Sequence, residues 1–554
     1  MTNRFFLLFV TIISMLVLSC GGDDASDQVG GDDSQIALTL LAAECPDYIG
    51  GSNIKEQLGS LAVQFYTEAG TLVKVNGKNA VSLSDDNLSD EVKVTGIPDI
   101  NNARVVFSGF EKNNVSSPKW RGVVRGVDFK KGKETVVSVV LYPVYGMGCF
   151  PQTLLSPRFG HAVTELPDGR LLVSGGFTET SNGVWQATDK VELLDPESGT
   201  VDQLTAMKEY RAFHVAVALP DGRVVITGGV KELDMKALDM TDESGYPDLP
   251  LTFKTSPVGV ELYTVNLAKK NQRPDGVVDA STVEYIDLSD DKFFPFQSYA
   301  YVRSDEETGA GTIFMVGGVK DGAGLPNIYG VEISVGEDQK VTATVNQYNS
   351  TNTETFVAPL VAAAGTDRVF VLGGHPKTSS KFAHLISAGT LEEWSGNAPN
   401  LFFGSIAADT VNNIVVAASG LELPKDATAF SMNGNSYRFN LSDSTGSEGP
   451  LFWGTWLHDM VFNGTDGYFS VVGGVGGFDT TAANIEANNF LEHVSIDTMD
   501  FNDTAYEYIK VKRALHRTVV TADKMMYITG GIEDIKGTAL VDTIELLYMN
   551  KPSF

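Results

Sequence analysis

Three Arg-x-x-His pairs in this 554-residue chain could do chemistry: Arg158 with His161, Arg211 with His214, and Arg513 with His516. An imidazole can move a proton, and a guanidinium beside it can clamp an anion. A catalytic residue is needed only once, however, and this pair recurs. Recurrence favours a structural task, hydrogen bonding between like units. His375 and His458 stand outside the pattern and read as packing or surface histidines. The chain has neither a Gly-x-Ser-x-Gly elbow nor a His-Glu-x-x-His motif, and its seven histidines are scattered without ligand spacing. No catalytic residue and no metal centre are expected. Asp234, Asp239, Asp242 and Glu243 crowd one stretch, and Asp287, Asp290 and Asp291 another. Neither has the ordered oxygen-ligand spacing of a calcium loop. No cofactor is expected, with calcium the one ion left open.

What positions the pairs is a repeat. Gly175-Gly176, Gly228-Gly229, Gly317-Gly318, Gly373-Gly374, Gly473-Gly474 and Gly530-Gly531 each end a short apolar run, and Ser419-Gly420 is a degenerate copy. Self-similarity at a period of roughly 50 residues marks a repeat architecture. A turn precedes each run, as at Gly169, Gly222 and Gly467, where glycine accepts a positive φ. Runs such as Leu171-Leu172-Val173 and Val224-Val225-Ile226 read as strands. Another strand begins at each Arg-x-x-His. A third follows the doublet, clearest at 191–195, 283–287, 331–333 and 544–547, and a fourth leads to the next unit. Four strands per unit and seven units predict a seven-bladed β-propeller.

Arg-x-x-His, a hairpin, an apolar strand ending in Gly-Gly, then Val-Glu-x-x-Asp resembles the kelch repeat. The resemblance covers 150–554 and is weakest in the fifth unit, at Ala418-Ser419-Gly420. The tryptophan usual in the family's fourth strand is mostly missing. The resemblance implies a propeller of the kelch and galactose oxidase superfamily, whose members mostly bind partners, with a minority of enzymes. It also implies that the doublets and the Arg-x-x-His residues are structural. Copper chemistry of the galactose oxidase type needs a cysteine linked to a tyrosine. No cysteine follows Cys149, so that cross-link cannot form within the propeller.

The N-terminus predicts export. Arg4 precedes an apolar run over 5–18, then Ser19 and Cys20, which fits a secretory signal over 1–19. Val17-Leu18-Ser19-Cys20 resembles a bacterial lipobox, although Leu18 stands where a small residue is usual. The resemblance implies acylation at Cys20 and, because Gly21 rather than Asp follows, sorting to the outer membrane. Residues 20–36 are small and acidic and read as a flexible tether. Residues 37–149 hold several short β-like runs, predicting a small β-sandwich of immunoglobulin-like or transthyretin-like type. Cys45 and Cys149 bracket it, and an even pair in an exported chain suggests a disulfide. The fold class expected is therefore all-β, a sandwich followed by a seven-bladed propeller.

The net charge of −29 opposes nucleic-acid binding, which needs basic patches. Membrane contact is expected through the lipid alone. Function is expected to be that of a binding or scaffold module for a protein or glycan partner at the cell envelope. The alternative is a propeller enzyme acting on carbohydrate. Loops on a rigid scaffold concentrate binding, so the face carrying the long post-doublet loops is the expected working surface. The longest loop is expected over 230–282, and Trp185, Tyr246, Phe253, Phe478 and Phe490 are the candidate anchors of that face. A final expectation concerns closure. The seventh unit lacks a fourth strand, and residues 150–155 are expected to supply it by pairing with that unit's third strand.

Overall fold

A computed structural model describes residues 34–42, 57–84, 92–112, 116–144, 146–265, 281–288, 292–348, 353–387, 390–451, 454–463, 467–476, 486–497, 499, 507–535 and 538–549. The protein is all-β, and most of its sheets are antiparallel and four-stranded.

Eight strands come first: β1 (Ser34–Ala42), β2 (Leu58–Tyr66), β3 (Leu72–Val73), β4 (Val81–Ser84), β5 (Val92–Ile97), β6 (Ile100–Glu111), β7 (Trp120–Phe129) and β8 (Glu134–Pro143). They pair in the order β3-β2-β6-β7-β8-β1-β5, with β4 also on β2. Strand β1 runs parallel to β8 and starts at Ser34, so the last residues of the expected tether belong to the sheet. Strand β8 pairs with β1 along most of its length and with β7 only through Tyr142 and Pro143. One apolar cluster joins Leu61, Val105 and Phe107 to Val94, Val137 and Val139, so the two ends of this pairing path share a core.

Ten further sheets follow among the described residues; seven of them, sheets one to seven, have their first three strands in chain order, and the other three lie in the connections. Sheet one holds Ala162–Glu165, Leu171–Ser174, Val191–Asp195 and Thr200–Gln203. Sheet two holds Val215–Ala218, Arg223–Thr227, Val260–Thr264 and Thr282–Ile286. Sheets three to six have Gln297–Arg303, Leu360–Ala363, Ser405–Asp409 and Asp459–Asn463 as their inner strands, and Leu401–Phe402 also joins sheet five. Sheet seven holds Arg517–Val520, Met525–Thr529, Ile544–Tyr548 and a two-residue strand β9 (Gly148–Cys149). The inner strand of each sheet touches the inner strand of the next, and the seventh touches the first, so the innermost strands form a closed cycle.

The uninterrupted apolar runs have a physical cause. Each second strand is covered on both faces, because successive residues pack against opposite neighbours. Leu172 joins a cluster with Val224 and Ile226 of sheet two, while Val173 joins one with Tyr527 and Leu546 of sheet seven. In sheet five, Val415 packs with Phe370 of sheet four and Val416 with Val471 of sheet six. One such cluster lies between every adjacent pair of sheets.

The closing strand sits slightly earlier than the sequence suggests. Cys149 pairs with Glu545 and Gly148 with Leu546, while the amides of Phe150 and Leu154 donate to the carbonyls of Ile544 and Asp542. Cys149 is disulfide-bonded. Cys45 lies outside the described residues, as does Cys20. The second unit needs a correction. Its third strand is Val260–Thr264, and the stretch read as third, 283–287, is its fourth. The insertion therefore ends near residue 259 rather than 282.

Candidate functional site

The Arg-x-x-His residues are placed by the doublets. The guanidiniums of Arg158, Arg211 and Arg513 are fully buried, and each donates to the carbonyl of the first glycine of its own doublet: Gly175 at 2.9 Å, Gly228 at 2.8 Å and Gly530 at 2.8 Å. Each also pairs with a buried glutamate on the third strand of its sheet, Glu192, Glu261 (2.9 Å) or Glu545 (3.4 Å). These carboxylates accept from the two backbone amides that enter the sheet, Leu155 and Ser156, Lys208 and Glu209, Lys510 and Val511. Buried charges persist when so fully partnered. Glu261 escaped the sequence reading because the third strand of its unit was misplaced.

The two glycines of a doublet do different work. A Cβ on the first would strike the neighbouring sheet: at Gly175 it would lie 2.2 Å from the Arg211 carbonyl oxygen, and at Gly530 2.3 Å from that of Arg158. The second glycine packs against its own sheet, Gly176 against Phe159 and His161, Gly229 against Ala212 and His214. Gly317-Gly318, Gly373-Gly374 and Gly473-Gly474 likewise have positive φ. Ser419 takes φ +47 in the degenerate copy, and its hydroxyl donates to the Asn433 carbonyl at 2.6 Å.

The histidines reach between sheets, but not equally. His161 Nε2 lies 2.8 Å from the Thr529 hydroxyl of sheet seven, and His214 Nε2 lies 2.8 Å from the Ser174 hydroxyl of sheet one. Each hydroxyl stands just before a glycine doublet. The residue in that place opposite His516 is Val472, and neither ring nitrogen of His516 has a hydrogen-bond partner among the described residues. Opposite His458 it is Ala418. That ring faces the carbonyls of Ala418 and Thr455 without reaching hydrogen-bond geometry. Burial holds His161, His214 and His516 well below the usual imidazole range and pushes His458 down to about 4. His375 is also buried, its ring tilted against that of His384 at 4.9 Å and with Glu354 3.6 Å away.

The inner strands enclose a cavity of about 470 Å³. Strand edges exposed there have unpaired backbone groups, and side chains from adjacent sheets satisfy several. Asp459 accepts from the Thr518 amide at 2.7 Å, Arg517 donates to the His161 carbonyl at 3.1 Å, and Ser405 donates to the His458 carbonyl at 2.6 Å. Arg517 and Asp459 stand 3.8 Å apart, and burial raises the Asp459 carboxyl while Arg517 opposes the shift. His214, His458 and His516 also line the cavity.

One end is apolar. Each inner strand is entered through a residue of positive φ: Gly160, Phe213, Phe296, Ala358, Phe403, Leu457 and Leu515. Backbone bonds join neighbours in this ring, from Phe213 to Gly160, Gly160 to Leu515, Leu515 to Leu457, Leu457 to Phe403 and Ala358 to Phe296. Phe253, from the second unit's insertion, stands 5.1 Å from the Phe213 ring and 4.6 Å from that of Phe296.

The candidate anchors are therefore mostly core. Trp185 is buried, edge-on to Phe159 at 5.0 Å. Tyr246 is buried, and its hydroxyl donates to the Gly374 carbonyl at 2.9 Å. Phe490 opens a strand of sheet six and packs on Tyr508. Phe478 lies outside the described residues. Segment 230–259 runs across the loop layer, pairing with sheet one's loop through Glu232–Asp234 and bonding to Gly322 and Lys377 of later loops. Trp185, Tyr246 and Phe253 looked like anchors, but they belong to or pack against one shared apolar layer.

Compared with known proteins, the chain matches no family model, and no curated protein resembles it significantly. Among the described residues no group of three or more metal-ligating side chains is placed to hold an ion.

Proposed function

We propose that sheets one to seven form a seven-bladed propeller of the kelch type behind an N-terminal β-sandwich, and that the protein is a binding module at the bacterial cell envelope. Its partner is a protein or a glycan. The observation that carries this reading is the commitment of Arg158, Arg211 and Arg513, with their glutamates, to buried bonds within the scaffold. A scaffold of this kind presents surfaces and loops, and function sits in sites grafted on it. Cross-linking in native envelopes, followed by a glycan array and a panel of glycosidase substrates, tests the reading. Capture or array binding without turnover is expected, and turnover of a carbohydrate substrate overturns it.

The same proposal places an acylated Cys20 at the start of the mature chain, with the folded body tethered to the outer membrane. Several acyl chains hold a protein far better than one. The wild-type protein is expected in the membrane fraction with a lipidated N-terminal peptide by mass spectrometry, and Cys20→Ala in the soluble fraction. Equal release of both forms refutes the anchor.

A further inference from the structure

One wall of the cavity at the centre of the seven sheets carries buried polar atoms without partners among the described residues. His161 and His214 each meet a hydroxyl of the neighbouring sheet, Thr529 or Ser174. His516 is equally buried, yet its neighbour is Val472, and both of its ring nitrogens stay unpartnered among the described residues. Unpaired buried polar atoms are costly. The next residues on the same strand are Arg517 and Thr518, and the Thr518 hydroxyl is also buried without a partner among the described residues. Facing them across the adjacent sheet are His458 and Asp459. All five line the cavity.

The chemistry of this wall selects a ligand class. Arg517 and Asp459 bring one positive and one negative charge, 3.8 Å apart. The pair offers donors and acceptors together without net charge. A simple anion meets Asp459 and a chain of net charge −29, while a simple cation meets Arg517. A hydroxyl, which both donates and accepts, suits the pair and the neutral imidazole of His516 alike. The lining exposes somewhat more polar than apolar surface, and Phe213, Phe253, Phe296 and Phe403 gather its aromatic groups at one end. The volume of about 470 Å³ falls in the usual range of small-molecule sites. Solvent reaches the wall, because the Arg517 side chain is 37% exposed. Six non-glycine residues held at positive φ surround the apolar end, and such backbone strain gathers at functional sites.

We propose that this cavity binds one neutral, hydroxyl-rich ring with an apolar face, a free monosaccharide or the terminal sugar of a glycan. His516, Arg517, Thr518 and Asp459 take its hydroxyls, and the phenylalanines take its C–H face. The inference rests on the reading of the molecule as a binding module and gives that module a specific pocket.

The test is calorimetric titration of the full chain with glucose, galactose and N-acetylglucosamine, and with oligosaccharides ending in each. Acetate and spermidine serve as charged probes. Saturable binding of at least one sugar probe is expected, and whether free sugars or only oligosaccharides bind identifies the source. Val472→Thr gives His516 the hydroxyl that His214 already has. It is expected to raise the melting temperature and weaken sugar binding about tenfold. Thr518→Val, close in size but without the hydroxyl, is expected to weaken it similarly. Absence of saturation by every sugar, a preference for acetate or spermidine, or unchanged affinity in both variants overturns the site. Those results leave the envelope-partner reading standing. Saturable binding with product signals in the same samples by NMR keeps the site and overturns the binding-module reading instead.

Discussion

Arg211 shows how a single residue holds three segments together. Its guanidinium reaches the Gly228 carbonyl, the Gly259 carbonyl and the Glu261 carboxylate, with no exposed surface. Removing one partner of a buried pair leaves the other charged and dry, at a cost of about 3–5 kcal/mol. Arg211→Ala is therefore expected to lower unfolding free energy by that amount in a denaturant titration. Arg211→Ala/Glu261→Ala should lose less than the sum of the two single variants. A loss below about 1 kcal/mol would show that the pair is dispensable. The doublet makes a sharper demand. Gly530 has φ +58, and a Cβ there meets the Arg158 carbonyl at 2.3 Å and the His161 ring at 2.7 Å. Backbone strain and collision act together, so Gly530→Ala is expected to cost about 2–4 kcal/mol. Gly70→Ala meets nothing within 4 Å and should cost only the left-handed backbone term of about 1–2 kcal/mol. Comparison of their thermal midpoints separates the two contributions.

Among the elements, segment 230–259 behaves as a strap across the loop layer. Tyr246 packs 6.3 Å from the Phe402 ring and bonds to the Gly374 carbonyl, linking the second sheet's insertion to loops of the fourth and fifth. Tyr246→Ala is expected to raise amide exchange along 230–259 while the second strands, at Leu171–Ser174 and Met525–Thr529, keep their protection. Uniform loss of protection would mean that the strap is part of the global core. The same segment marks where sequence reading succeeds and fails. Second strands and doublets were legible because both signals are local, an apolar run and a turn glycine. The third strand of the second unit was not. Val260-Glu261-Leu262-Tyr263 and Val283-Glu284-Tyr285-Ile286 look alike in sequence, and strand pairing with Arg223–Thr227 and the ion pair of Glu261 with Arg211 separate them. Trp185 and Tyr246 were ambiguous for a related reason. An aromatic in a long loop has the same letter whether it faces solvent or fills a shared core. The cavity wall needed three dimensions, since Asp459 and Arg517 meet only when sheets six and seven are adjacent.

For the molecule as a whole, closure and acid stability are linked. The N-terminal strands reach the ring through β8, whose Val140 and Tyr142 enter the cluster between sheets one and seven, and through β9, which completes sheet seven. Arg125 adds ion pairs to Glu197 and Asp523 on the two sheets. The closing seam is thus tied by apolar packing, backbone pairing and a disulfide at Cys149. The histidines set the pH range in which this arrangement holds. All seven, His161, His214, His375, His384, His458, His493 and His516, are pushed below the ordinary imidazole value, with burial the largest cause. His384, His458 and His493 fall to about 4. In the unfolded chain they regain protons at about pH 6.5. Above that pH both states are neutral and stability does not depend on these groups. As pH falls, the unfolded chain binds protons that the folded one refuses, so stability declines with decreasing pH down to the folded values. Each histidine contributes a slope of about 1.4 kcal/mol per pH unit once its unfolded form is fully protonated. Urea midpoints measured from pH 7.5 to 4.5 should stay level above about pH 7 and then fall steeply. The fall should be shallower in His493→Gln, which removes one titrating group outside the cavity. A midpoint that holds steady to pH 5 would mean that the imidazoles accept protons in the folded state, and that the sheet interfaces open enough to hydrate them.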